Sequence, residues 1–196
     1  QGMDYVVSLV EVNLASRLAD GTVRAYQQAL TLHMMPINLI GVAISNAAFP
    51  QLTEHLGEGR NDLFQKDLRS LLRIIFWMAL PVSVVIFFTR GYVVHFISNG
   101  GVPLIAGILG CLVVAILFRT IYHMAARAFY ARQDTKTPLY ISIFSITLNI
   151  ILAIVLSMVL KMGAYGLAWA QSTVAVLEVV VLLAVMNRQM PKLFDM

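Results

Sequence analysis

Arg119, His123 and Arg127 stand four residues apart, in and just beyond a segment that is otherwise apolar from 102 to 126. Steps of four return to one face of a helix. Facing water, such a stripe could hold a diphosphate, because a guanidinium offers paired N–H donors to phosphate oxygens. Ionisable groups at bilayer depth cost about 2.5–3.5 kcal/mol each on insertion scales, so they mark candidate sites. Glu178, in VAVLEVVVLL, has no polar neighbour in sequence and must face a partner or water. An Arg119–Glu178 ion pair is one reading of both residues; a proton or cation site at Glu178 is another. Arg127 also suits a charge anchor at the membrane edge, and His123 suits ordinary packing.

The elements that carry these residues are long and apolar. Of 196 residues, 59% are hydrophobic and 12% charged, with mean hydropathy +0.80. That charged share is roughly half of the ~25% usual in soluble domains. The expected class is an all-α membrane protein, a six-helix transmembrane bundle. Expected spans are 3–19, 25–50, 74–97, 102–126 (its helix running on toward 132), 139–160 and 164–187. The first is marginal, since it carries Asp4, Glu11 and Arg17. Between the second and third spans, Leu63, Phe64, Leu68, Leu71 and Leu72 share a face, which predicts an amphipathic helix over 63–73 lying at the interface, with Asn61 as its N-cap.

Loop charge sets the expected orientation. The loops at 51–73, 127–136 and 188–192 hold nine basic residues (Arg60, Lys66, Arg69, Arg73, Arg127, Arg132, Lys136, Arg188, Lys192) against four on the other side (Arg17, Arg24, Arg90, Lys161). The richer side faces the cytoplasm by the positive-inside rule. The tract RAFYARQDTKTP, 127–138, is then a cytoplasmic hinge, with Thr137 as expected N-cap and Pro138 at the first helical position. A net charge of +4 not gathered in one run argues against nucleic-acid binding. Cys111 is the single cysteine, so no internal disulfide forms. There is no HExxH and no GxxxxGK[ST], so neither a zinc hydrolase nor an ATP-driven pump is indicated. The chain opens Gln-Gly, with no initiator Met, and reads as a fragment or a processed piece.

Three tracts together resemble the MurJ/MviN family of lipid II flippases: PINLIGVAISNAAFPQL at 36–52, RAFYARQDTKTP at 127–138 and GAYGLAWAQS at 163–172. The resemblance covers nearly the whole chain and aligns it with helices 7–12 of a fourteen-helix, two-lobed protein of the MOP superfamily. It implies the second lobe, with an N-terminal lobe of the same protein as partner, in the bacterial cytoplasmic membrane. It also implies alternating-access transport of undecaprenyl-diphosphate-linked peptidoglycan precursor; the alternative is a related exporter of drugs or other polyprenyl-linked oligosaccharides. The implied substrate contacts are Arg119, His123, Arg127, Arg24 and Thr31, with Thr31 standing where the family usually has a cavity arginine. No organic cofactor is implied. A coupling cation, Na+ or H+, is implied at Glu11 and Asn149, with Gln171 and Ser172 as further oxygen donors; Ala153 stands where a second carboxylate can occur.

Overall fold

The computed structural model describes residues 2–18, 21–97 and 103–190, with side chains from Val7. The side chain of Asp4 and all of Lys192 lie outside the described residues. Pro36 lacks the N–H that would continue the helical ladder, and the chain takes a π-helical turn immediately after it. Thus α2 (Thr22–Pro36) passes through Ile37–Val42 into α3 (Ala43–Gly57) as one bent rod. The other helices are α1 (Gly2–Ser16), α4 (Asn61–Ile97), α5 (Pro103–Ala131), α6 (Lys136–Ile154) and α7 (Ala164–Gln189). A second π-helical turn, Val155–Val159, ends α6.

Among the described residues, five rods are long and apolar enough to cross a membrane: Thr22–Gly57, α4, α5, Lys136–Val159 and α7. The expected first span falls short, because the 15 residues of α1 reach only about 22 Å against ~30 Å of hydrocarbon. The expected interfacial helix 63–73 is not a separate element. It is the first third of α4, which runs 37 residues without a break. Except for the exposed Leu63, the apolar residues that suggested a surface helix instead feed a core, with Phe64 and Leu68 buried in one cluster with Met124 and Phe129 and Leu71 and Leu72 packed against it. The start of α6 also differs. Asp134, not Thr137, is the capping side chain: Thr137 donates its backbone N–H to Oδ1 at 3.1 Å and its hydroxyl to Oδ2 at 2.6 Å. A carboxylate is the stronger acceptor and lies one turn earlier, and Pro138 falls inside the first turn.

Two apolar cores stack along the bundle with α5 at its centre. One gathers Leu52, Phe64, Leu68, Met124, Phe129 and Leu182; the other gathers Tyr26, Ala29, Ile108, Leu112, Leu167 and Ala168. Between them, on successive helices, fall Glu11, His33, Ser83, Thr120, Asn149, Gln171, Ser172 and Glu178, all buried. A polar layer therefore crosses the middle of an otherwise hydrophobic bundle. Gly41 lets the π-helical turn approach this layer, since a Cβ there would stand 3.0 Å from the backbone of Thr120.

Candidate functional site

The layer holds one connected chain of polar groups. Gln171 donates its amide nitrogen to both carboxylate oxygens of Glu11, at 2.9 and 3.0 Å. Its amide oxygen accepts from Nη2 of Arg119 at 2.7 Å. Glu11 is 1% exposed and Gln171 7%. A buried carboxyl is thus linked to a guanidinium through one amide. Tyr26, fully buried, lies beside Glu11, and its hydroxyl has no hydrogen-bond partner of ordinary geometry. His33, also buried, lies near Arg119 and is held at Nδ1, 2.6 Å from the carbonyl oxygen of Leu30. Burying unpaired charge is expensive, and a relay of three side chains from three helices is a structural answer to that cost.

The expected partner of Arg119 is Glu178; the hydrogen bond of Arg119 runs instead to Gln171, two turns earlier on α7. Long side chains on a helix lean toward its N-terminus, which carries the Arg119 head back along α5. Glu178 is buried, and its field reaches Tyr122.

The basic stripe does not act as one surface. Arg119 bonds to α7, whereas Arg127 donates from Nη2 to Oδ1 of Asn46 on α3 at 2.6 Å, with its Cζ 5.5 Å above the Phe49 ring. Four residues turn a helix by about 400°, so a stripe with that step drifts by about 40° each time. Over two steps its ends meet different neighbours. His123, between them, stacks edge-on against Tyr122 with ring centres 5.9 Å apart.

Arg24 and Thr31 lie elsewhere. They share with Gln27 an exposed stripe of α2 that runs on past Met34 and Met35 to Asn38 in the π-helical turn. The Thr31 hydroxyl donates to the carbonyl of Gln27 at 2.9 Å, so its own polarity is partly spent within the helix. A polar exposed stripe on a membrane helix cannot rest against lipid tails without leaving donors and acceptors unpaired. It faces water or protein.

Of the four donors expected for a cation, Glu11 and Gln171 meet directly. Gln171 presents N–H, not oxygen, to Glu11. The Ser172 hydroxyl donates to the Cys111 carbonyl at 2.6 Å. Asn149 is buried with its Oδ1 unpartnered. Among the described residues no three His, Cys, Asp or Glu side chains gather as metal ligands.

Tyr26 and His33 were outside the expected site. Both are ordinary core residues by sequence, and only the packing of α2 against α1 and α5 brings them to Glu11 and Arg119.

Comparison with known proteins gives a consistent picture. Residues 1–195 match the family model "Lipid II flippase MurJ". A probable lipid II flippase MurJ of Thermotoga maritima is 27% identical over 176 residues, covering 87% of this chain and 36% of the relative. That of Borreliella burgdorferi is 26% identical over 176 residues, covering 87% of this chain and 34% of the relative. The chain therefore spans about a third of the length of these relatives. Its fold matches lipid II flippase MurJ in an inward closed conformation with TM-score 0.84 at 24% identity, over 94% of this chain and 40% of the other. An outward-facing MATE multidrug transporter of the MOP superfamily matches with TM-score 0.87 at 12% identity, over 94% of this chain and 41% of the other.

Proposed function

Since the chain belongs to the lipid II flippase MurJ family, we propose that it is one lobe of a flippase carrying a lipid-linked diphosphate across the bacterial cytoplasmic membrane. The observation that carries this reading is the polar layer between two apolar cores, together with the exposed polar residues Arg24, Gln27 and Thr31 on α2 and Asn38 just after it. A bundle meant only to fill a bilayer has no use for either. A wall of a water-filled chamber needs both, polar groups to face the cargo head and buried partners to hold them in place.

In this account a second lobe of the same protein closes the chamber opposite α2. Arg119 is the side chain that meets the diphosphate. The Gln171 amide occupies one of its N–H groups and aims the rest, and Glu11 fixes Gln171. A pre-aimed guanidinium loses little freedom when phosphate arrives, which is where a preorganised site gains affinity. Arg127, joined to Asn46, and Arg24 at the far end of α2 supply further positive charge along the path. Thr31 gives no charge, so the head is gripped at the Arg119 level rather than at Thr31. No step runs through a bound metal. A buried carboxylate whose countercharge comes through an amide suits a proton as the coupling ion, taken up at Glu11 as the lobes exchange faces.

Loop charge places the 127–136 hinge in the cytoplasm, and the cargo moves from that side to the other. Lipid II is the proposed cargo. Depletion of the full-length protein from its host is expected to accumulate lipid II in the inner leaflet, read by its access to an external lipid II-cleaving enzyme. An unchanged leaflet distribution contradicts the assignment and favours export of a different lipid or drug.

A further inference from the structure

A concavity runs along the seam of α4 and α5, with Ser83 of the polar layer on its wall. Its narrow part, about 280 Å³, lies between Leu80, Val84, Val113, Val114, Leu117 and Phe118, apolar but for Ser83. Its wide part, about 750 Å³, carries Arg90 and His95. Phe87 and Phe88 line both parts, so the two form one groove.

Arg90 is held in the groove rather than extended into solvent. Its guanidinium donates to the Phe87 carbonyl and lies 4.3 Å above the Phe87 ring. Its Cδ crosses Gly110, where a Cβ would stand 3.1 Å away. A guanidinium has five N–H donors, and the Phe87 carbonyl uses one group of them. Among the described residues, none that lines the groove is a carboxylate. Tyr92 and Phe96, 81% and 88% exposed, flank Arg90 and His95 on α4. Exposed aromatic side chains of this kind sit at the membrane–water boundary. From Arg90 to Leu80 the helix descends about 15 Å, the depth of one leaflet.

The groove thus has a cationic end at phosphate depth and an apolar floor one leaflet long. We propose that it seats an anionic membrane phospholipid, with its phosphate on Arg90 and His95 and one acyl chain along Val84, Val114 and Phe118. The site is separate from the Arg119 chamber and does not rest on the transport reading. By the orientation above, the lipid belongs to the outer leaflet.

Native mass spectrometry of the full-length protein, offered phosphatidylglycerol or phosphatidylcholine, tests this. Phosphatidylglycerol is expected to be retained, and the Arg90→Gln, His95→Gln pair to weaken its retention about tenfold, the loss of one charge-assisted contact. Val114→Trp, which fills the floor while leaving both basic residues, is expected to weaken it as well. Thermal melting of each lipid-free variant identifies those that fold, and His95→Gln alone serves if the pair does not. Equal retention of the two lipids overturns the proposal, as does unchanged retention in folded variants of both kinds. Displacement of phosphatidylglycerol by an equal dose of undecaprenyl diphosphate also overturns it, since the groove would then belong to the cargo.

Discussion

Gln171 holds Glu11 by both oxygens, its amide nitrogen 2.9 and 3.0 Å from them, while Arg119 holds Gln171. Three helices, α1, α5 and α7, are thereby joined at the middle of the bundle by a polar chain. Each link is short, and among the described residues Gln171 alone is hydrogen-bonded to both Glu11 and Arg119. The relay stabilises the lobe and orients a guanidinium at once, so stability and transport should fall together when it is cut.

Gln171→Leu leaves a buried carboxylate and a guanidinium N–H without partners. The expected cost is about 2–3 kcal/mol, the penalty for orphaning buried groups of this kind. Thermal unfolding of the purified full-length protein measures it. Double substitution with Glu11→Gln should recover part of the loss, because the orphaned charge is then gone. Equal melting of Gln171→Leu and wild type would remove the relay from the account.

Arg119→Ala and Arg119→Lys separate charge from geometry. Lysine keeps the charge but cannot bond Gln171 and offer paired donors to phosphate at the same time. Both variants are expected to lose at least about tenfold in transport, the worth of one charge-assisted contact. Full transport by Arg119→Lys would mean that position alone, not the guanidinium fork, is what matters.

Gly166 tests the packing that sets the height of Gln171. A Cβ there would stand 2.6 Å from the backbone carbon of Leu156, so α7 and the π-helical turn of α6 touch backbone to backbone. Gly166→Val should cost about 1–3 kcal/mol by overpacking and reduce the amount of protein in the membrane. A variant that melts like wild type would show the contact to be looser than described.

Legibility in the sequence was uneven, and the reasons are physical. Apolar runs reported the rods well, because burial in lipid demands length and hydrophobicity from each helix by itself. The same rule misled at 63–73, where an amphipathic face packs onto Phe129 and Met124 of α5 and continues straight into the span. Spacing along α5 brought out Arg119, His123 and Arg127 but not their partners. Those depend on how α5 meets α7 and α3, which contacts such as Ser172 to Cys111 decide. Glu11 and Gln171 were both candidates, 160 residues apart. Their direct bond, with the amide taking the place of a cation, is a property of packing that no stretch of sequence displays. Tyr26 carried no signal, since an aromatic residue in an apolar helix is ordinary.

The cap of α6 gives a pH-dependent prediction outside the membrane. The Thr137 hydroxyl and backbone N–H hold the Asp134 carboxyl below its ordinary value of 3.8. A lowered value means the cap contributes fully above the ordinary value and is lost as pH falls below it. Asp134 is partly exposed at the end of the bundle, so solvent screening keeps the effect small. Amide exchange at Thr137 should quicken in acid in the wild type, whereas Asp134→Asn should show no such acid step. An acid step of the same size in Asp134→Asn would assign it to another group.

The account stands on α2 facing water rather than lipid, and thiol accessibility in the intact membrane measures that directly. In full-length protein with Cys111→Ser, Gln27→Cys and Thr31→Cys should react with a membrane-impermeant maleimide added to intact cells or inverted vesicles. Val85→Cys, exposed on the apolar face of α4, should not. If Thr31→Cys stays as unreactive as Val85→Cys from both sides, α2 lines no chamber.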